Sequence, residues 1–181
     1  DLRKTFPFAF GVAKKVRTNT SISKGTVSIS SVGVSLAERI FGSLDGRRAL
    51  LIGAGEMAKA AAKSLRASGA SITVVNRSSE NAATLAETIG GTSRPYESLH
   101  EELQQSDVVI SSTASHEYIL TKKTLEAVMR ARKWQPLFLV DIALPRDIDP
   151  AASQIEGLFL YDVDDLQTVA ADNIGKRQDE A

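Results

Sequence analysis

Between residues 48 and 161, short apolar runs alternate with longer segments whose apolar residues recur at helical spacing. The runs are 48–52 (Arg-Ala-Leu-Leu-Ile), 71–75 (Ser-Ile-Thr-Val-Val), 107–111 (Asp-Val-Val-Ile-Ser), 137–142 (Leu-Phe-Leu-Val-Asp-Ile) and 157–161 (Gly-Leu-Phe-Leu-Tyr). They are near-continuously apolar rather than alternating, as strands are when both faces are covered. Between them, 56–68, 79–89, 97–105 and 122–133 read as helices. The first is rich in Ala, Lys and Leu and stops at Gly69, and Gly90-Gly91 breaks the second. Strands and helices in alternation predict the α/β class: a doubly wound parallel sheet, Rossmann-like, with helices on both faces.

The flanks read differently. Residues 2–18 place Leu2, Phe6, Val12 and Val16 in a helical pattern that Pro7 and Gly11 weaken. A Ser/Thr-rich bend at 18–24 leads to a second helix at 26–41, and Leu44-Asp45-Gly46 makes a turn. Residues 163–181 predict a helix that begins here and runs beyond the last residue. The expected organisation is a helical lead-in over 1–44, an α/β domain over 45–162, and the start of a C-terminal helix from 163 to 181.

Composition narrows the chemistry. The 181 residues contain no cysteine, which excludes disulfides, thiolate zinc sites and a cysteine nucleophile within this chain. Two histidines, His100 and His116, argue against a multi-histidine metal site, and no metal is expected. No apolar run approaches the ~20 residues of a membrane span. Nothing at the start reads as a signal peptide, and an opening Asp1 is expected of a piece of a longer chain. A cytoplasmic setting is the default expectation.

The 22 basic and 22 acidic residues are unevenly spread. Residues 1–48 carry nine bases against three acids, and residues 141–181 carry three against ten. No RNA-binding motif or aromatic stacking pattern accompanies the basic block, so solvated or mutually facing helix surfaces account for it better than a nucleic-acid surface.

The chemistry concentrates in Gly53-Ala54-Gly55-Glu56-Met57-Ala58, a G-x-G-x-x-A pattern between a predicted strand and a predicted helix. Gly53 allows the turn out of the strand. Gly55 lets backbone approach a pyrophosphate, and Ala58 lets the helix pack closely. The free N–H groups at 55–58 suit a diphosphate. The Glu56 carboxylate would repel one, so its side chain is expected to point away.

The next strand ends at Asn76-Arg77-Ser78, where NAD-binding proteins place an acid for the ribose 2′-hydroxyl. No acid stands here. A guanidinium at Arg77 can pair with a 2′-phosphate, and Ser78 can donate to it or cap the next helix, so NADP(H) is expected over NAD(H). Ser112, Thr113 and Ala114 come after the 107–111 strand and are expected to border the nicotinamide half. His116 and His100 read as surface residues, and no catalytic residue is assigned. In Asp141-Ile142-Ala143-Leu144-Pro145-Arg146-Asp147 structural roles are expected: Asp141 orienting a loop, and Arg146 pairing with Asp147, Asp149 or a phosphate.

Four segments together carry a resemblance: 50–87 (LLIGAGEMAKAAAKSLRASGASITVVNRSSENAATLAE), 107–115 (DVVISSTAS), 136–150 (PLFLVDIALPRDIDP) and 158–167 (LFLYDVDDLQ). They resemble the NADP-binding domain of the glutamyl-tRNA reductase family, and residues 8–41 resemble the stretch that precedes it. The resemblance implies reduction of glutamyl-tRNA to glutamate-1-semialdehyde with NADPH, the first committed step of tetrapyrrole (porphyrin) synthesis by that route. Family members use a cysteine thioester on an N-terminal domain, a C-terminal helical domain that makes a homodimer, and tRNA contacts mainly outside this segment. Contact with glutamate-1-semialdehyde aminotransferase is implied in the same way. A chain without cysteine is then expected to bind cofactor but to be inactive alone. A shikimate dehydrogenase-like NADP domain shares the Gly-x-Gly-x-x-Ala and Asn-Arg signatures and is the alternative, with a non-catalytic nucleotide-sensing module as a third reading.

Overall fold

The computed structural model describes residues 29–179. The helix predicted at 2–18 lies outside them. The elements are α1 (Ile29–Phe41), β1 (Arg48–Ile52), α2 (Glu56–Ala67), β2 (Ser71–Val75), α3 (Ser79–Ile89), β3 (Thr92–Arg94), α4 (Leu99–Gln105), β4 (Val108–Ser111), α5 (Lys122–Ala131), β5 (Leu137–Asp141), β6 (Leu158–Asp162) and α6 (Val163–Asp179). Short 3₁₀ turns span Tyr96–Ser98 and Pro150–Gln154. Every predicted strand is present within a residue. β3 was not predicted. Its three residues, Thr92, Ser93 and Arg94, are largely exposed and carry no apolar pattern.

The six strands are all parallel, in the order β3-β2-β1-β4-β5-β6. This is the doubly wound arrangement, with its switch point between β1 and β4. Register brings the strand ends level: Ile52 pairs with both Val75 and Ser111, and Ser111 with Asp141.

Alternate side chains of each central strand feed two separate cores. Ala49, Leu51, Ile110 and Val140 face α1, α2, α3 and α6, where they join Val32, Ala58, Ala61, Ala62, Leu85 and Leu166. Leu50, Ile52, Val109 and Leu139 face the opposite layer, with Leu103 of α4 and Leu125, Val128 and Met129 of α5. Burial on both sides is why the strands read as continuous apolar runs. The alanines of α2 let that helix lie close on the sheet. The second predicted helix, 26–41, packs its described part, α1, into the first core and against α2 and α6. Among the described residues no helix is long and apolar enough to cross a membrane.

One buried cation fastens the second layer. Arg132, 6% exposed, comes just after α5 and donates to the carbonyls of Leu103, Gln104, Ser106 and Pro136 at 2.5–3.2 Å. These are largely the carbonyls left open at the end of α4, which a cation suits. Burial pushes the guanidinium below its ordinary value, partly offset by nearby Asp107. Arg132→Met keeps the apolar stem and removes the donors. It is expected to cost about 3 kcal/mol, the scale of leaving several buried acceptors unpaired, measured as a lower urea midpoint.

Candidate functional site

The chain leaves β1 through Gly53, whose φ of +108° a side chain would resist. Space is equally restrictive: a Cβ would sit 2.2 Å from the Ser112 carbonyl oxygen. Backbone bonds hold this contact, since Gly53 N–H donates to Val75 and Ser112 N–H to Ile52, each at 2.9 Å. The strand tips of β1, β2 and β4 are therefore joined immediately above the sheet.

Gly55 presents the opposite case. It is the N-cap of α2 with φ −77°, and a Cβ built there meets nothing within 4 Å. Packing does not ask for glycine at this position. The same helix end has no side-chain cap, whereas Ser78 caps α3 and Thr121 caps α5. Open space and uncapped N–H groups thus coincide, in front of the positive end of the helix. Glu56 follows at the first position of the helix and also lines the groove there. Its exposed carboxylate bonds the Lys59 ammonium at 2.7 Å, which holds it below the usual carboxylate range.

Two connected hollows lie beyond the strand ends. A groove of ≈ 450 Å³ is lined by residues 53–57, Asn76, Asn81 and residues 112–114. Beside it, a pocket of ≈ 190 Å³ is bounded by Ile52, Gly53, Asn76, Arg77, Tyr96, residues 113–115 and Ile119. Nine of the sequence-predicted residues line the groove: Gly53, Ala54, Gly55, Glu56, Met57, Asn76, Ser112, Thr113 and Ala114. Arg77 borders the smaller pocket and donates from Nη2 to Ser115 Oγ at 3.3 Å. Ser78 accepts from Asn81 N–H and so acts as the cap. Ala58, on α2, is buried in the core and lines neither hollow. Tyr96, Asn81, Ser115 and Ile119 were missed; only their position after strands or at a helix start could have marked them.

The loop bordering both hollows is supported by carboxylates at the end of β5 and in the segment after it. Asp147 is fully buried and accepts from Ser111 Oγ at 2.6 Å, Thr113 N–H at 2.9 Å and Thr113 Oγ1 at 2.5 Å. Asp141 accepts from the N–H groups of Ala143 and Ile148, at 3.1 and 2.9 Å, and shapes its own loop. Arg146 departs from expectation. It pairs with Asp162 rather than with Asp147 or Asp149, because Asp141 and Asp162 end neighbouring strands in register. His100 and His116 are exposed, as their sequence contexts suggested.

Parallel order, switch-point groove and glycine turn define the class: a doubly wound, Rossmann-type domain. The chain belongs to the shikimate/quinate 5-dehydrogenase family, whose model matches residues 35–169. Over 173 residues it is 49% identical to a glutamyl-tRNA reductase of Sorangium cellulosum, covering 96% of this chain and 33% of that protein. It is similar in structure to the glutamyl-tRNA reductase of Methanopyrus kandleri, with a TM-score of 0.79 and 38% identity, over 99% of this chain and 45% of that one. The nucleotide binding domain of the Thermoplasma volcanium glutamyl-tRNA reductase shares the fold, with a TM-score of 0.63 and 19% identity, over 84% of this chain and 98% of that one. The resemblance carried by the four sequence segments holds in these matches. The chain spans a third to two fifths of the length of the relatives first matched.

Two positions make this geometry testable. Gly53→Ala forces a methyl group onto the Ser112 carbonyl at an unfavourable φ, and should lower stability by more than about 2 kcal/mol in chemical denaturation. Asp141 gives a pH signature. Burial raises its pKa, against the backbone N–H bonds of Ile148, Ala143 and Asp147 that lower it, while the charge of Asp147 adds to the rise. The folded state then prefers the neutral acid, so this residue's contribution is full below the ordinary carboxylate pKa of about 4 and is lost as pH rises through the raised value. The stability difference between wild type and Asp141→Asn should fall with rising pH from about 4; a difference that grows would refute the assignment.

Proposed function

We propose that this chain binds NADP(H) across the switch-point groove, as the cofactor domain of a glutamyl-tRNA reductase. The observation that carries the reading is Gly55, where glycine is unnecessary for packing yet stands before an uncapped helix end. A diphosphate fits that space and uses those N–H groups. The smaller pocket suits the adenine, with Arg77 along its edge. A guanidinium with no carboxylate at the strand tip favours the 2′-phosphate form over NAD(H). Thr113 and Ala114 line both the smaller pocket and the groove, and Ser112, which lines the groove alone, stands toward the side proposed for the nicotinamide.

Bound there, NADPH would supply a hydride. The chain's own residues seat the diphosphate, hold the adenosine end and fix the height of the 112–114 loop. In this reading reduction of glutamyl-tRNA to glutamate-1-semialdehyde, for tetrapyrrole synthesis, requires a thiol, and these 181 residues contain none. The thioester cysteine and the tRNA-recognition surfaces would lie on parts of the enzyme outside this sequence. Residues 45–162 form the cofactor unit, 1–44 lead into it, and 163–181 begin the helical region through which the parent enzyme would make a homodimer. A cytoplasmic setting and contact with glutamate-1-semialdehyde aminotransferase belong to the same proposal. The shikimate/quinate 5-dehydrogenase match covers the shared nucleotide domain and does not extend over the residues before 35.

Fluorescence titration tests the cofactor. NADPH should bind more tightly than NADH, and Arg77→Ala should erase most of a roughly ten- to hundredfold preference, the scale of one charge-assisted contact. Equal affinity of the wild-type chain for both would defeat the reading. Gly55→Ala separates binding from folding. Its methyl group enters the open space, so NADPH affinity should fall at least about tenfold while stability drops by no more than about 1 kcal/mol, the cost of alanine at an N-cap. The 181-residue chain alone should show no turnover of glutamyl-tRNA.

A further inference from the structure

We propose that Ser115 is a positioning residue for Arg77 and thereby helps to set the preference for a 2′-phosphorylated cofactor. The inference rests on the NADP(H) reading above and concerns a residue that the glycine and arginine motifs do not include. Arg77 is exposed, and an exposed arginine ordinarily samples many rotamers. Here its Nη2 donates to Ser115 Oγ, 3.3 Å away, and both residues line the small pocket.

Ser115 is well placed to act as the acceptor. The residue is 7% exposed, and its own hydroxyl proton goes to the Glu117 carbonyl at 2.8 Å. Its oxygen therefore offers lone pairs, which Arg77 Nη2 and Glu117 N–H occupy. The hydroxyl is anchored in turn. Ser115 N–H donates to Thr113 Oγ1 at 3.1 Å, and Thr113 Oγ1 donates to the buried Asp147 carboxylate. A chain of hydrogen bonds thus runs from the segment after β5 to the guanidinium at the tip of β2. Among the described residues no other acceptor takes a proton from Arg77. One edge of the fork is held and the rest remains available to a phosphate. Restricting the side chain before binding lowers the ordering cost that binding would otherwise carry. The contact is long and its acceptor is neutral, so the effect is modest.

The test is the ratio of NADPH to NADH affinity in the 181-residue chain. In Ser115→Ala the ratio should fall about three- to tenfold, the range of one ordinary hydrogen bond. Ser115→Thr, which keeps the hydroxyl, should restore the ratio. In an Arg77→Ala background Ser115→Ala should change the ratio no further, because nothing is left to position. A fall in both affinities by the same factor would show that Ser115 serves only the turn, and would overturn the proposal. A ratio that rises would mean that Ser115 competes with the phosphate, and would overturn it too. If Arg77→Ala leaves the wild-type ratio unchanged, the cofactor reading fails first; if it collapses the ratio and Ser115→Ala does not lower it, only the present proposal fails.

Discussion

The contact of Gly53 with the Ser112 carbonyl sets the geometry above the sheet. Strands of a parallel sheet end at one edge, and the chain leaving each strand must turn away without colliding with its neighbours. At the switch point the connections diverge to opposite faces and leave a crevice. Here, where β1 and β4 end, the backbone of residue 112 closes directly against residue 53. Only glycine tolerates that approach. The contact fixes the entry to α2, and with it the direction in which the uncapped N–H groups point. It also fixes the 112–114 loop that forms the opposite wall of the groove.

Asp147 supports this arrangement from below. A fully buried carboxylate is costly unless its oxygens are satisfied, and here two hydroxyls and one backbone N–H satisfy them. Its backbone carbonyl also accepts from the N–H groups of Ile119 and Leu120. The residue therefore joins the ends of β4 and β5 to the loop that leads to α5. Rigidity in this loop matters because three predicted binding residues, Ser112, Thr113 and Ala114, and also Ser115 lie on it. A site supported by packed carboxylates and strand tips holds its shape better than one built on free loops.

Most of the fold was legible because its cause is local in sequence. A strand buried on both faces must be apolar at nearly every position, and a helix covering it must be apolar at every third or fourth. The exception is β3, an edge strand that is held by backbone pairing to β2 and asks nothing of its side chains. In the candidate site, the glycine turn was visible because backbone approach restricts the residue type at fixed spacing, and Arg77 because it stands at the tip of a legible strand. Tyr96, Ser115 and the role of Asp147 were not. Ser115 and Asp147 act through partners distant in sequence, with 34 residues separating Thr113 from Asp147 and 38 separating Arg77 from Ser115, and Tyr96 reaches the pocket from beyond an edge strand. No periodicity encodes such pairs. Arg146 makes the same point, since its partner Asp162 comes from the next strand rather than from the acids beside it.

The uneven charge of the chain acquires a structural meaning in the described residues. The acidic excess after residue 140 is largely occupied with backbone donors. Asp149 receives the N–H groups of Lys122 and Ala151, and Asp162 receives those of Asp164 and Asp165 at the start of α6. Asp165 returns the bond to Asp162 N–H, so the two residues form a reciprocal cap. Acids at the first turn of α6 also suit the positive end of that helix. On the basic side, Arg47 is paired with Asp107 and stacked over Phe41, and Arg48 reaches Glu102 and Gln105. Charges committed in this way close helix ends and join neighbouring elements. Arg77 stands apart from them, a cation at a strand tip held by a neutral hydroxyl instead of a carboxylate, and that difference is what leaves its charge available to a ligand.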